Sequence, residues 1–208
     1  MYIHSYVSQV RLAAYSCGHT NLGLLMMFAR VCGVVSAFVV MIGLAVASPA
    51  MPPNLSFDLV EGEKIDLTSY KGKVILVVNT ASKCGYAPQF TQLQDLSDRY
   101  WEQGLVILTV PSNDFKQELS SAEAAKQYCA MTFGAELPMA RITQVTGAEA
   151  HPFYAWLRAE RGFEPNWNFN KVLIGRDGEV IDTYPASVEP DSQDFTGAVE
   201  HALGQSRG

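Results

Sequence analysis

Beyond Ala47 the chain keeps two cysteines, Cys84 and Cys129, and a thiol is the side chain here most open to redox or nucleophilic chemistry. Cys84 lies in Asn79-Thr80-Ala81-Ser82-Lys83-Cys84-Gly85-Tyr86-Ala87-Pro88. Before it runs Val74-Ile75-Leu76-Val77-Val78, an unbroken apolar stretch that reads as a buried parallel strand. After it, Pro88 suits the first turn of a helix, where its missing N–H is not needed. Phe90, Leu93, Leu96, Tyr100 and Trp101 continue at helical spacing. Cys84 is therefore expected in a strand-to-helix loop. Free N–H groups and the positive helix end favour a thiolate there, and Lys83 adds a positive charge. A lone cysteine is as often a small buried hydrophobe, so this placement alone leaves both readings open.

The surrounding elements place that loop in a recognisable order. Ser56–Val60 and Lys64–Leu67 flank Glu61-Gly62-Glu63 and predict an N-terminal hairpin. The strand at 74–79, a helix over about 88–102 ended by Gly104, and the strand Leu105–Val110 make a βαβ unit. Ser120 and Glu123 read as cap and box partner of a helix running to about Met131 and carrying Cys129. A further helix is expected over Pro152–Arg161, with His151 at its start. Val172–Ile174 and Val180–Tyr184 flank Arg176-Asp177-Gly178, a strong hairpin signal. A last helix spans about Ser192–Leu203, with Phe195, Val199 and Leu203 facing inward. This order predicts an α/β, thioredoxin-like fold: a central mixed sheet flanked by helices, preceded by a β-hairpin. Cys84-Gly85-Tyr86-Ala87 lacks the second cysteine of a C-x-x-C dithiol. The chemistry is then that of a single thiol completed by a distant partner.

The chain is 48% hydrophobic and 17% charged, an ordinary globular composition. Its net charge of −6 argues against a nucleic-acid surface. Arg30, the apolar Val31–Ala47 run and Ala45-Val46-Ala47 read as a secretory signal, cleaved after Ala47 in preference to serving as a membrane anchor. A signal starting at Met1 would be too long, so residues 1–25 are expected to be a mis-called extension and 26–47 the signal peptide. Cys17 and Cys32 then leave with it, and 48–208 form one domain. The location expected is outside the cytoplasm, in a periplasm, where two remaining cysteines can form a disulfide. The scattered histidines and cysteines have no metal-ligand spacing, and no phosphate loop or cofactor signature is evident.

With those residues in view, the chain resembles the glutathione peroxidase family in its cysteine-containing form, over roughly Leu55–Leu203. Three stretches carry the likeness: Asn79–Tyr86, Pro111-Ser112-Asn113-Asp114-Phe115-Lys116-Gln117-Glu118, and Trp167-Asn168-Phe169-Asn170-Lys171. The resemblance implies that Cys84 reacts with a hydroperoxide, surrounded by Gln117, Trp167 and Asn168. It also implies that Cys129, within Gln127–Gly134, resolves the resulting sulfenic acid as an intramolecular disulfide. That step requires the Cys129 helix to unwind partly, because a disulfide needs close Cα atoms. The second stretch departs from the family pattern. Asp114 stands where the family usually has Gln, and Lys116 alone separates Phe115 from Gln117, where two residues, the first a Gly, are usual. If the tighter loop displaces Gln117, Asn113 or Asp114 is the alternative occupant. The short span between Trp156 and Trp167 is similar to that of monomeric members, which draw electrons from a thioredoxin-like protein more readily than from glutathione. The function implied is a thiol peroxidase acting on hydrogen peroxide or organic and lipid hydroperoxides in the response to oxidative stress. Two rivals share the fold: a peroxide sensor or redox relay, and a non-catalytic binding module with a structural Cys84–Cys129 bond.

Overall fold

A computed structural model of the chain describes residues 51–52 and 55–205. The expected extension and signal peptide lie outside the described residues. The core element is the strand β3 (Val74–Thr80), buried along its whole length. It pairs in parallel with β4 (Leu105–Pro111) and antiparallel with β5 (Lys171–Ile174), which pairs antiparallel with β6 (Val180–Tyr184). The sheet order is β4-β3-β5-β6. A separate antiparallel hairpin, β1 (Ser56–Asp58) and β2 (Lys64–Asp66), precedes it, followed by a 3-10 turn at Leu67–Tyr70.

A strand buried on both faces reads as a continuous apolar run, because successive side chains point to opposite sides. Val74, Leu76 and Val78 face one core with α1 (Gln89–Tyr100) and α4 (Gln193–Gly204). Ile75 and Val77 face a second core with Phe57, Ile65 and α3 (Pro152–Arg161). Phe90, Leu93, Leu96 and Tyr100 of α1 are buried, as are Phe195, Val199 and Leu203 of α4. Each fully buried Leu or Phe contributes about 1.5–3 kcal/mol of apolar stabilisation. Trp101, the C-cap of α1, does not join that face: it is 61% exposed.

The elements agree with the expected thioredoxin-like order, with one shift in capping. Ser121, not Ser120, caps α2 (Ala122–Phe133): its Oγ accepts from Ala124 N at 3.1 Å. Glu123 pairs instead with Arg141, at 3.3 Å. His151 caps α3 as expected, its Nδ1 accepting from Phe153 N, and its ring stacks on Phe57. Among the described residues, no helix is long and apolar enough to cross a membrane.

Candidate active site

Cys84 occupies the turn between β3 and α1. Its amide donates weakly to Ala81 O at 3.4 Å, and its carbonyl accepts from Ala87 N at 2.9 Å. These bonds fold the loop back over itself. Cys84 is buried, and the Tyr86 N–H points at Sγ from 3.5 Å. Lys83 is exposed beside it, and Pro88 opens α1 four residues on.

The loop after β4 reaches this turn. Lys83 N donates to Gln117 O at 2.9 Å. The shortened segment before Gln117 closes because Lys116 takes φ 60°, the left-handed region that favours glycine. Gln117 follows directly, tied by its backbone to the Cys84 turn and by its side chain to Asn168. Its Oε1 accepts from Asn168 Nδ2 at 3.0 Å, which leaves Nε2 as the donor end of the amide. Asp114 is turned elsewhere: its Oδ2 accepts from Val145 N, Thr146 N and Thr146 Oγ1 at 2.7, 2.9 and 3.0 Å. Asn113 Oδ1 accepts from Glu118 N at 3.4 Å. Both are thus engaged with groups other than Asn168.

The third stretch is held from below by Asn79, the last-but-one residue of β3. Asn79 Nδ2 donates to Trp167 O at 2.9 Å, and Asn79 Oδ1 accepts from Asn170 N at 3.1 Å. Phe169 sits at φ 66°, a second left-handed non-glycine residue, buried edge-on against Phe90. Asn168 is wholly buried, and its Oδ1 has no hydrogen-bond partner. Trp167 is 41% exposed, so it is not a core residue; its ring lies 5.4 Å from that of Phe115. Cys84, Gln117 and Asn168 are thus joined through backbone and amide hydrogen bonds, with Trp167 next in chain. No hydrogen bond runs from Gln117, Trp167 or Asn168 to the Cys84 sulfur itself. Strained backbone of this kind persists only where the surroundings over-determine it, and it concentrates at functional sites.

Cys129 is a free, buried thiol on α2, and Cys84 is likewise free. Burial, with the Glu118 charge second, pushes the Cys129 thiol up to about 12, although the Ser82 hydroxyl lowers it.

Lys171 has no sequence signal as a buried residue, yet it is fully enclosed. Nζ donates to Gln89 Oε1 at 2.7 Å and to Phe169 O at 2.9 Å. It thereby ties the start of α1 to the Asn168 loop. Burial lowers its amine to about 8, with the Glu189 charge pulling the other way. In the unfolded chain this amine titrates near 10.5, so between about 8 and 10.5 the unfolded state binds more protons. Stability is therefore expected to rise with pH across that window, by about 3 kcal/mol from this group. Lys171→Met should remove that rise. Denaturant unfolding at pH 7.5 and 10 on both proteins checks it; an equal pH response in the two would count against the buried charge. Cys129 acts oppositely, since its folded thiol stays protonated above the unfolded value, and subtracting the variant cancels its part.

The glutathione peroxidase family model matches residues 54–158. A probable glutathione peroxidase 5 of Arabidopsis thaliana is 42% identical over 150 residues, covering 69% of this chain and 86% of that protein. A glutathione peroxidase of Lactococcus lactis is 41% identical, covering 64% and 88%. The crystal structure of Trgpx in apo form superposes with TM-score 0.60 at 30% identity, covering 76% of this chain and all of that one. A putative thioredoxin from Neisseria meningitidis, at 19% identity and TM-score 0.54, shares the fold alone. The family match and the 42% relative agree with the three loops that meet beside Cys84: the chain belongs to the glutathione peroxidase family and is a peroxidase-type oxidoreductase.

Proposed function

We propose that this protein is an exported two-cysteine thiol peroxidase that reduces hydrogen peroxide or organic and lipid hydroperoxides in the response to oxidative stress. The observation that carries the reading is the Asn168–Gln117 amide bond beside the Gln117–Lys83 backbone bond. It ties the loop that carries the Gln117 amide to the turn that carries the thiol, which supports the reading. The Cys84 thiolate attacks one peroxide oxygen, the O–O bond breaks, and the departing oxygen leaves as alkoxide or hydroxide and takes up a proton. Gln117 Nε2 and the Trp167 indole N–H supply donors for that developing charge without adding a cation. Cys84 becomes a sulfenic acid, and the Cys129 thiol displaces water from it to form a disulfide. A dithiol reductant, a thioredoxin-like protein in preference to glutathione, then restores both thiols. The domain acts as a monomer.

The test is stopped-flow oxidation of the reduced protein by hydrogen peroxide, followed by steady-state turnover with a dithiol reductant. Fast oxidation with sustained turnover is expected. Fast oxidation without turnover would mean a relay, and oxidation no faster than that of a free thiol would overturn the peroxidase reading.

A further inference from the structure

α2 is attached to the domain by little apolar surface. It buries Ala122, Ala125 and Cys129, whereas α1 buries Phe90, Leu93, Leu96 and Tyr100. Tyr128 and Met131 face solvent, 39% and 79% exposed, and Phe133, the last residue of α2, is half-buried and stacks on Phe90. Apolar attachment scales with buried area, so small side chains anchor the helix weakly, and weakly anchored segments open first. The exposed Arg141–Glu123 pair adds little. The Lys126–Glu61 pair is likewise at the surface. Phe133 with the Thr91 Oγ1–Phe133 O bond anchors only the far end, so the entry to α2, which buries only Ala122 and Ala125, depends on a polar tie.

Glu118 provides that tie. Its Oε1 accepts from Ser82 N at 3.1 Å and from Leu119 N at 2.7 Å. Ser82 belongs to the turn that carries Cys84, and Leu119 to the segment that enters α2. One carboxylate oxygen thus joins the turn of the reacting thiol to the segment that leads into the helix of the second thiol. Charged acceptors make the stronger hydrogen bonds. Cys129 is buried on the helix that this segment enters, and the Glu118 charge acts on its thiol.

We propose that Glu118 is a positioning residue for resolution: its carboxylate latches the entry of α2 to the Cys84 turn and keeps Cys129 enclosed until the latch opens. The consequence for catalysis rests on the peroxidase reading above; the latch itself does not. In the step it governs, Cys129 loses its proton and its sulfur attacks the sulfenic sulfur of Cys84. The S–O bond breaks, hydroxide leaves with that proton as water, and the S–S bond forms. Peroxide has already supplied the oxidation.

The first arm uses the full chain carrying Cys84→Ser, without peroxide, and a small aromatic disulfide as thiol probe. Modification of Cys129 is read peptide by peptide, since Cys17 and Cys32 also react. Adding Glu118→Ala is expected to accelerate Cys129 modification about ten-fold, the scale of one lost charged hydrogen bond. Glu118→Gln keeps an acceptor oxygen and should stay within about three-fold of the parent. Amide hydrogen exchange should rise over residues 119–133 and not in β3 or β4. A Cys129 rate unmoved by Glu118→Ala, or exchange raised throughout the sheet, overturns the latch. The second arm restores Cys84 and follows a single turnover with hydrogen peroxide. Disulfide formation should accelerate by a similar factor relative to the preceding oxidation of Cys84. A ratio of the two phases that does not change overturns the resolving role. If peroxide fails to oxidise even the parent protein, the peroxidase reading and the resolving role fall together, while the first arm still decides the latch.

Discussion

Cys84→Ser is expected to remove the whole fast phase of oxidation by hydrogen peroxide, and Cys129 is not expected to replace it. A thiol held up to about 12 is a thiolate to the extent of only about one part in 10⁵ at pH 7. The thiolate is the nucleophile, so this fraction sets a ceiling on what Cys129 can do from its buried site. Cys129→Ser should behave differently. Cys84 should oxidise at its usual rate and then stop at the sulfenic acid, trappable by a carbon nucleophile and prone to further oxidation at higher peroxide. Mass spectrometry of quenched samples distinguishes the two outcomes. A fast phase surviving Cys84→Ser would remove Cys84 from the reacting position, and a Cys129→Ser variant that still turned over normally would deny Cys129 its part.

The asymmetry between the two cysteines was only half legible in the sequence. The turn around Cys84 could be read because an apolar strand, a Pro-opened helix and a family motif all bracket it. Cys129 could be placed on a helix, but not in its electrostatic setting, because Glu118 and Ser82 approach it from other segments. The same holds for Asn79 and Lys171. Each looks like the polar end of an apolar run. In the fold Asn79 organises the Trp167–Asn170 loop, and Lys171 bridges it to α1. Long-range polar contacts leave no pattern to read, whereas the unbroken apolar run of β3 and the helical spacing of α1 and α4 do. The shortened loop is the clearest case. Counting residues puts the position of Gln117 in question, but it cannot show the left-handed turn at Lys116 or the bond from Asn168 that holds the Gln117 amide. Trp101 is helical in backbone and at the spacing of a buried residue, yet nothing packs over it at the end of α1 and it is exposed.

The second large effect concerns the amide pair. Gln117→Ala is expected to slow Cys84 oxidation about 10²-fold, the usual loss when one preorganised donor to a developing charge is removed. Asn168→Asp should be about as damaging, although Asn168 makes no hydrogen bond to the Cys84 sulfur. Its Nδ2 donates to Gln117 Oε1, and that bond decides which end of the Gln117 amide faces outward as a donor. A carboxylate at 168 cannot donate; it would instead draw Gln117 Nε2 toward itself and present Oε1, an acceptor, to the peroxide. Asn168→Ala removes the bond without inverting it and should lose less. Because both residues act through one donor, Gln117→Ala combined with Asn168→Asp should be little worse than Gln117→Ala alone. The second-order rate constant for Cys84 oxidation, taken for each variant with its unfolding midpoint, measures this. Losses that multiply would show two independent donors, and the ordering of Gln117 by Asn168 would have to be abandoned.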